Sequence, residues 1–401
     1  MSGWLLENTR DGQNICVEAG RIVRVFEWPD RMTRLDCAGG SVEPGWVNAH
    51  THLYSGLVPF GMPPPSVPPE DFLQILSRIW WRLDRALDAA SLYAAARYYI
   101  SSALLMGTTS LVDHHESPDM ISGSLEILAR ACGELGIRAL LTYGASERNR
   151  GETEGQEGLA ECRRFLTHSD WSGVRGLVGL HASFTVGDKT ISDAARLCQE
   201  MNSVLHVHVA EDLSDVYDAQ RRGYPGPLER LLDLQALPPG SVVAHGVYLS
   251  AEQVRACQER GLWLVQNPRS NHGNRVGYPK ALSYSNRVAL GTDGYPASMT
   301  DESEALRDNS QQAGENARIV AARVQAGQSL LAERFGIPFG QLTPFSAADL
   351  VVKNPAGKVH HVLVQGHLVV RNGVLLNADS DEIQYVAKKE AARLWANMAA
   401  F

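Results

Sequence analysis

Short apolar runs that end in a polar residue recur through the middle of this chain and leave little freedom in how it folds. They occupy residues 47–50, 109–113, 138–143, 176–181, 204–208, 241–245, 262–267 and 288–293. Helical patterns separate them, among them residues 92–106, 123–135, 191–201 and 251–260. Strands that are apolar throughout are buried on both faces, and their alternation with helices specifies a parallel sheet. Eight such units fit an α/β fold of the closed (β/α)8, TIM-like kind. The two ends of the chain read differently. Residues 15–25 look like two strands around a glycine turn, and residues 348–353 and 359–374 give three more strand-like runs, with Gly366 and Gly373 as turn candidates. We expect the ends to pair into one small β-sandwich domain. The expected division is 1–44 for its first part, 45–345 for the barrel, 346–378 for its second part and 379–401 for a C-terminal helix.

In a (β/α)8 barrel the site lies at the carboxyl ends of the strands. His50, Asp113, His181, His208, His245, Asn267 and Asp293 all fall there. His50 and His52 form an H-x-H pair, whose side chains leave a strand on one side and make half of a metal site. His208-Val209-Ala210-Glu211 adds a third imidazole and a carboxylate three residues on. His206 sits one pleat repeat deeper and reads as a hydrogen-bonded core histidine. His50, His52, His208 and Asp293 supply three nitrogens and one oxygen, a set suited to one divalent ion: Zn2+, or Fe2+. The run at 176–181 carries no lysine to bridge two metals, which favours a single ion. Such an ion makes water nucleophilic near neutral pH. Asp293 can take the water proton, Glu211 can shuttle it to a ring nitrogen and leaving group, and His245 can hydrogen-bond the attacking oxygen or polarise the substrate.

Candidate substrate contacts are His181, His114 or its neighbour His115, Arg148, Asn267, Asn271 and His272. Paired amide donors and acceptors suit a heterocycle edge. Trp80 and Trp81 are core or lid residues, and Pro63-Pro64-Pro65 with Pro68-Pro69 stiffens a loop near the entrance.

The formal net charge of −8 argues against a nucleic-acid or anionic-membrane partner. No apolar run approaches the roughly 18 residues of a membrane span, and the first residues do not read as a signal peptide. Six scattered cysteines without a C-x-x-C suit reduced thiols in a cytoplasmic protein. A homodimer is the expected assembly.

Pro44-Gly45-Trp46-Val47-Asn48-Ala49-His50-Thr51-His52, His208 to Glu211, Val243-Ala244-His245-Gly246 and Leu290-Gly291-Thr292-Asp293-Gly294 together resemble the amidohydrolase superfamily, in its mononuclear aminohydrolase and chlorohydrolase branch. Leu53 to Leu57, Trp80 to Asp88, Asp113-His114-His115, Ala210 to Leu213, Arg269-Ser270-Asn271 and Val276-Gly277-Tyr278 are similar to SsnA-type aminohydrolases. The resemblance implies a deformed barrel, a small β domain and hydrolytic deamination. It carries metal ligation onto His50, His52, His208 and Asp293, and acid/base roles onto Glu211 and His245. Two departures stand out: Ala182-Ser183-Phe184 replaces the Ala-Pro-Phe of many relatives, and the chain is short. The expected function is deamination of a small purine-like or pterin-like heterocycle with release of ammonia. Ring-opening of a cyclic amide and displacement of halide use the same site and are the alternatives. A non-catalytic metal-binding protein is a remote one.

Overall fold

The computed structural model describes residues 3–24, 31–168 and 170–401. The strands are β1 (Trp4–Thr9), β2 (Ile15–Glu18), β3 (Arg21–Val23), β4 (Thr33–Pro44), β5 (Trp46–Thr51), β6 (Thr108–His115), β7 (Arg138–Tyr143), β8 (Val174–Gly176), β9 (Val178–Ala182), β10 (Leu205–Val209), β11 (Val242–His245), β12 (Trp263–Gln266), β13 (Val288–Leu290), β14 (Leu350–Lys353), β15 (Val359–Val364), β16 (His367–Arg371) and β17 (Val374–Leu375).

The central strands form two parallel arcs, β5-β6-β7-β8 and β9-β10-β11-β12-β13. Every residue of β6, β7 and β9 to β13 is buried, as strands covered on both faces must be. Helices follow them, including Ala89–Leu105, Ser124–Leu135, Asp188–Glu200 and Ala251–Glu259. The run at 176–181, expected as one strand, is broken at Leu177. β8 pairs with β7 and β9 with β10. Leu177 donates its N–H to Leu141 O at 2.9 Å, Val178 donates to Val204 O at 3.1 Å, and the chain crosses between the arcs there. At the other seam Asp293 donates its N–H to the His50 carbonyl at 2.9 Å, and Thr51 and Asp293 form a parallel bridge. Both seams demand glycine. A Cβ on Gly179 would stand 2.3 Å from Tyr143 O, and one on Gly291 would stand 2.6 Å from His50 O.

The chain ends share one eight-stranded sheet, β17-β16-β15-β14-β4-β1-β2-β3. The long strand β4 pairs with β1 through its first part and with β14 through its last. Ala38 and Gly39, with φ of 52° and 71°, kink it between the two. Leu6, Val17, Ile22 and Leu35 from one end pack against Leu350, Val352 and Leu363 from the other. The β2–β3 hairpin turns through Ala19 and Gly20, both at positive φ. Val25, the last residue of that expected pair of strands, lies outside the described residues.

A buried ion pair joins β7 to the residue before β14. Arg138 donates from Nε and Nη2 to Asp349 at 3.1 and 2.9 Å, and its guanidinium lies over the Phe335 and Phe339 rings. Removing one partner leaves the other charge unmatched in the interior. We expect Asp349→Ala to cost about 3–5 kcal/mol, measured by chemical denaturation, with Arg138→Met/Asp349→Leu recovering most of it.

Candidate functional site

The carboxyl ends of β5, β10, β11 and β13 converge. His50 closes β5, and His52 begins the turn into the 3-10 helix Leu53–Phe60. Asp113 at the end of β6 accepts the Leu53 N–H at 2.6 Å and fixes that turn. One donor atom each from His50, His52, His208 and Asp293 lies within 4.8 Å of the others, and all four residues are buried. Each imidazole is pinned through Nδ1. That of His50 lies 2.9 Å from His206 Nε2, while those of His52 and His208 donate to the carbonyls of His114 (2.5 Å) and His181 (2.6 Å). The Nε2 atoms are left for the centre: those of His50 and His52 stand 3.2 and 2.8 Å from Asp293 Oδ1. Partners behind a ligand fix its tautomer and its aim. His206 thus takes the core position expected of it, as the support of His50.

Burial drives the His50 imidazole down to about 3, which keeps it in the neutral form a metal requires. His52 runs the other way. Burial works to lower it, yet the Glu116 and Asp293 carboxylates hold it well above the ordinary imidazole value. The cluster therefore calls for positive charge among its donors. Three convergent nitrogens and one carboxylate oxygen with such a demand fit a divalent cation.

Beside this centre stand the acid/base candidates. Ala210, His245 and Asp293 adopt left-handed φ of 51°, 72° and 54°. Such strain in non-glycine residues costs about 1–3 kcal/mol each and gathers at functional sites. The Ala210 turn brings Glu211 Oε2 to 3.4 Å from His245 Nε2, and Asn274 Nδ2 donates to Glu211 Oε1 at 3.1 Å. Burial pushes the Glu211 carboxyl up to about 7. His245 Nδ1 bonds to Asn271 Oδ1 at 2.9 Å, leaving Nε2 without a hydrogen-bond partner.

His181 and Phe184 line the cavity above, with Trp80, Trp81, Phe72, Leu76, Asp84, Glu116, Glu211 and Asn274. Ser183–Thr185 forms a single 3-10 turn. The cavity measures about 50 Å3. Arg148 stands behind two of the lining residues: it bonds Asp84 Oδ2 at 2.7 Å and lies 5.0 Å from the Trp81 ring. His114 does not face the cavity, because Glu116 Oε1 at 2.5 Å and Leu180 O at 3.0 Å take both its nitrogens. His115 bonds Ser117 Oγ at 2.9 Å. Asn271 and His272 do not meet the cavity as expected. On the helix Pro268–Gly273 it is Ser270, and Asn274 four residues on, that face the site. The Ser270 hydroxyl donates to Asp293 Oδ2. Asn271 sits behind His245, and His272 lines a different cleft. Glu116, Asp84, Ser270 and Asn274 escaped the sequence reading. Ser270 and Asn274 share a helix face and were recoverable from that spacing; Glu116 follows His115 with no pattern to mark it.

Residues 41–369 match the model of the amidohydrolase family, and the chain belongs to that family. It is 29% identical to a 5'-deoxyadenosine deaminase of Methanopyrus kandleri, over 85% of this chain and 84% of that one. It is 26% identical to a 5-methylthioadenosine/S-adenosylhomocysteine deaminase of Thermoanaerobacter pseudethanolicus, over 97% and 95%. A crystal structure of an adenosine deaminase from Xanthomonas campestris with bound zinc superposes with a TM-score of 0.83 at 20% identity, over 98% of both chains.

If His206 fixes His50, His206→Ala lowers zinc affinity about 10–100-fold in a competitive chelator titration. His206→Gln, which still offers an acceptor, is expected to stay within a few-fold of the native protein.

Proposed function

We propose that this member of the amidohydrolase family is a metal-dependent deaminase of a purine-like heterocycle, with water replacing the ring amine and ammonia leaving. The observation that carries the reading is the buried convergence of His50, His52, His208 and Asp293 beside the Glu211–His245 pair. The adenosine-type deaminases among its relatives favour a purine ring. His50, His52, His208 and Asp293 would hold one zinc ion, for which Fe2+ is the alternative. A divalent ion there supplies the Lewis acidity that makes water nucleophilic near neutral pH.

The chain's own groups do the rest. Asp293, its Oδ2 held by Ser270, accepts the proton released by the attacking water. Glu211, with a carboxyl near 7, donates a proton to the ring nitrogen beside the reacting carbon and then moves one to the departing amine. His245, whose Nε2 stands 3.4 Å from Glu211 Oε2, would hydrogen-bond the oxygen as that oxygen joins the ring. His181 offers a hydrogen bond from the cavity wall, its Nδ1 being tied to Thr185 Oγ1 at 3.0 Å. Phe72, Leu76 and Trp80 give the cavity an apolar wall against which a purine ring would lie.

We also infer that the two parallel arcs close into one (β/α)8 barrel spanning about residues 45–345, that the chain ends form a small sandwich beside it, and that residues 379–401 form a C-terminal helix. The hydrogen bonds at Leu177 and Asp293 and the mixed core of the terminal sheet support this division.

The test is ammonia release by zinc-loaded protein from 5'-deoxyadenosine, methylthioadenosine, adenosine, free adenine and aminated pterins. We expect turnover on at least one purine. Glu211→Gln should lower kcat about 100- to 10,000-fold with zinc stoichiometry intact. Near-native turnover in Glu211→Gln would remove the acid/base assignment, and release of chloride from chlorinated rings without any ammonia would move the reading to halide displacement.

A further inference from the structure

Glu211 carries the acid/base role in the proposed reaction, yet it stands on neither a strand nor a helix. It lies two residues beyond the end of β10 and precedes the helix Leu213–Arg221. Asp212 caps that helix by accepting the Ser214 N–H at 2.9 Å. The aim of Glu211 is set by the residue before it. Ala210 is buried and holds φ at 51°, a left-handed value that a residue with a Cβ keeps only where its surroundings fix it.

Both backbone groups of Ala210 are fixed. Its carbonyl accepts the Tyr248 N–H at 2.9 Å, from the loop that follows His245. Its N–H donates to Asp215 Oδ2 at 2.7 Å. Asp215 lies in the first turn of the helix, three residues after the cap. A side chain at that place ordinarily turns back to the N–H of the cap residue itself. Asp215 passes Asp212 and reaches two residues farther back, to Ala210. It is 2% exposed and stands in the cavity wall. Burial pushes its carboxyl up to about 7, against the pull of the Ala210 and Phe184 N–H groups. A buried carboxyl is thus spent on backbone N–H groups of the two loops that carry Glu211 and Phe184 into the cavity wall.

We propose that Asp215 is the positioning residue for Glu211: its carboxyl holds the Ala210 N–H, and with it the left-handed turn that aims Glu211 at His245. Without that bond Ala210 relaxes toward negative φ, which turns the peptide between Ala210 and Glu211. Glu211 then leaves His245 Nε2 and Asn274 Nδ2, now 3.4 and 3.1 Å from its oxygens. The effect on turnover rests on the proposed function; the hold on the turn does not.

The experiment compares zinc-loaded full-length protein with Asp215→Ala and Asp215→Asn, each also combined with Glu211→Gln. One readout is hydrogen exchange of the Ala210 amide, identified by selective 15N-alanine labelling and by its loss in Ala210→Gly. The other is ammonia release from 5'-deoxyadenosine and methylthioadenosine. In Asp215→Ala we expect the Ala210 amide to exchange at least about tenfold faster. We expect kcat to fall about 100-fold, the scale of a misplacement of about 1 Å, with KM and zinc content little changed. Asp215→Asn keeps an acceptor and should recover most of both losses. With Glu211→Gln already in place, Asp215→Ala should cost little more, because the two changes remove one interaction. An Ala210 amide that stays protected in Asp215→Ala would overturn the proposal. So would a loss in kcat as large with Glu211→Gln as without it, a rise in KM at constant kcat, or a fall in melting temperature alone. If the native chain releases no ammonia from either nucleoside, the deaminase reading fails on both, and the exchange result alone decides what Asp215 holds.

Discussion

Asp293 does two jobs with one residue, and the rest of the structure depends on both. Its N–H reaches the His50 carbonyl and joins the first and last parallel strands, while its carboxylate faces the His50 and His52 nitrogens. The left-handed φ of 54° lets the backbone serve the seam while the side chain serves the centre. Gly291, with no room for a Cβ against His50, sets the approach. Meeting of the strands and assembly of the donor set are thus one event: a chain that failed to join β13 to β5 would also leave its carboxylate out of reach of the imidazoles.

A buried cluster of imidazoles and carboxylates is expensive unless each polar atom is matched. Here the matching comes from behind. Main-chain carbonyls of His114 and His181 and the His206 ring fix the Nδ1 sides. Glu116 lies 3.4 Å from His52 Nδ1 and bonds His114, placing a second negative charge under the ligands. This explains why burial alone does not lower the His52 imidazole, although it lowers His50. It also makes the centre a place where positive charge is stabilised before any substrate arrives.

The parallel strands and the four ligand candidates were legible because both follow periodic rules. Apolar runs mark the doubly buried strands, and the barrel rule says which end to search. The break at Leu177 was not legible, since the residues at 176–181 are apolar on both sides of the crossing and only tertiary pairing distinguishes β8 from β9. The error over Asn271 and His272 has a different origin. Polar residues in a loop after a strand look equivalent until a helix gives them faces; the one-turn rotation between Ser270 and Asn274 then sends Asn271 behind His245 and His272 outward. Glu116 was hidden because its role depends on the depth at which β6 ends.

The floor and the roof of the cavity are built from different material. His50, His52, His208 and Asp293 stand on or beside strands of the two parallel arcs. Phe72, Leu76 and Trp80 instead sit on one helical stretch, residues 72–86, capped by Asp71 and interrupted by a five-residue π-helical turn, after a loop rich in proline. π-turns of this kind recur at functional sites. The apolar side chains of that stretch face the donor cluster across the cavity. Aromatic cover and metal-ligand candidates thus come from different layers of the fold, the one from a helix before β6 and the other from the strand ends.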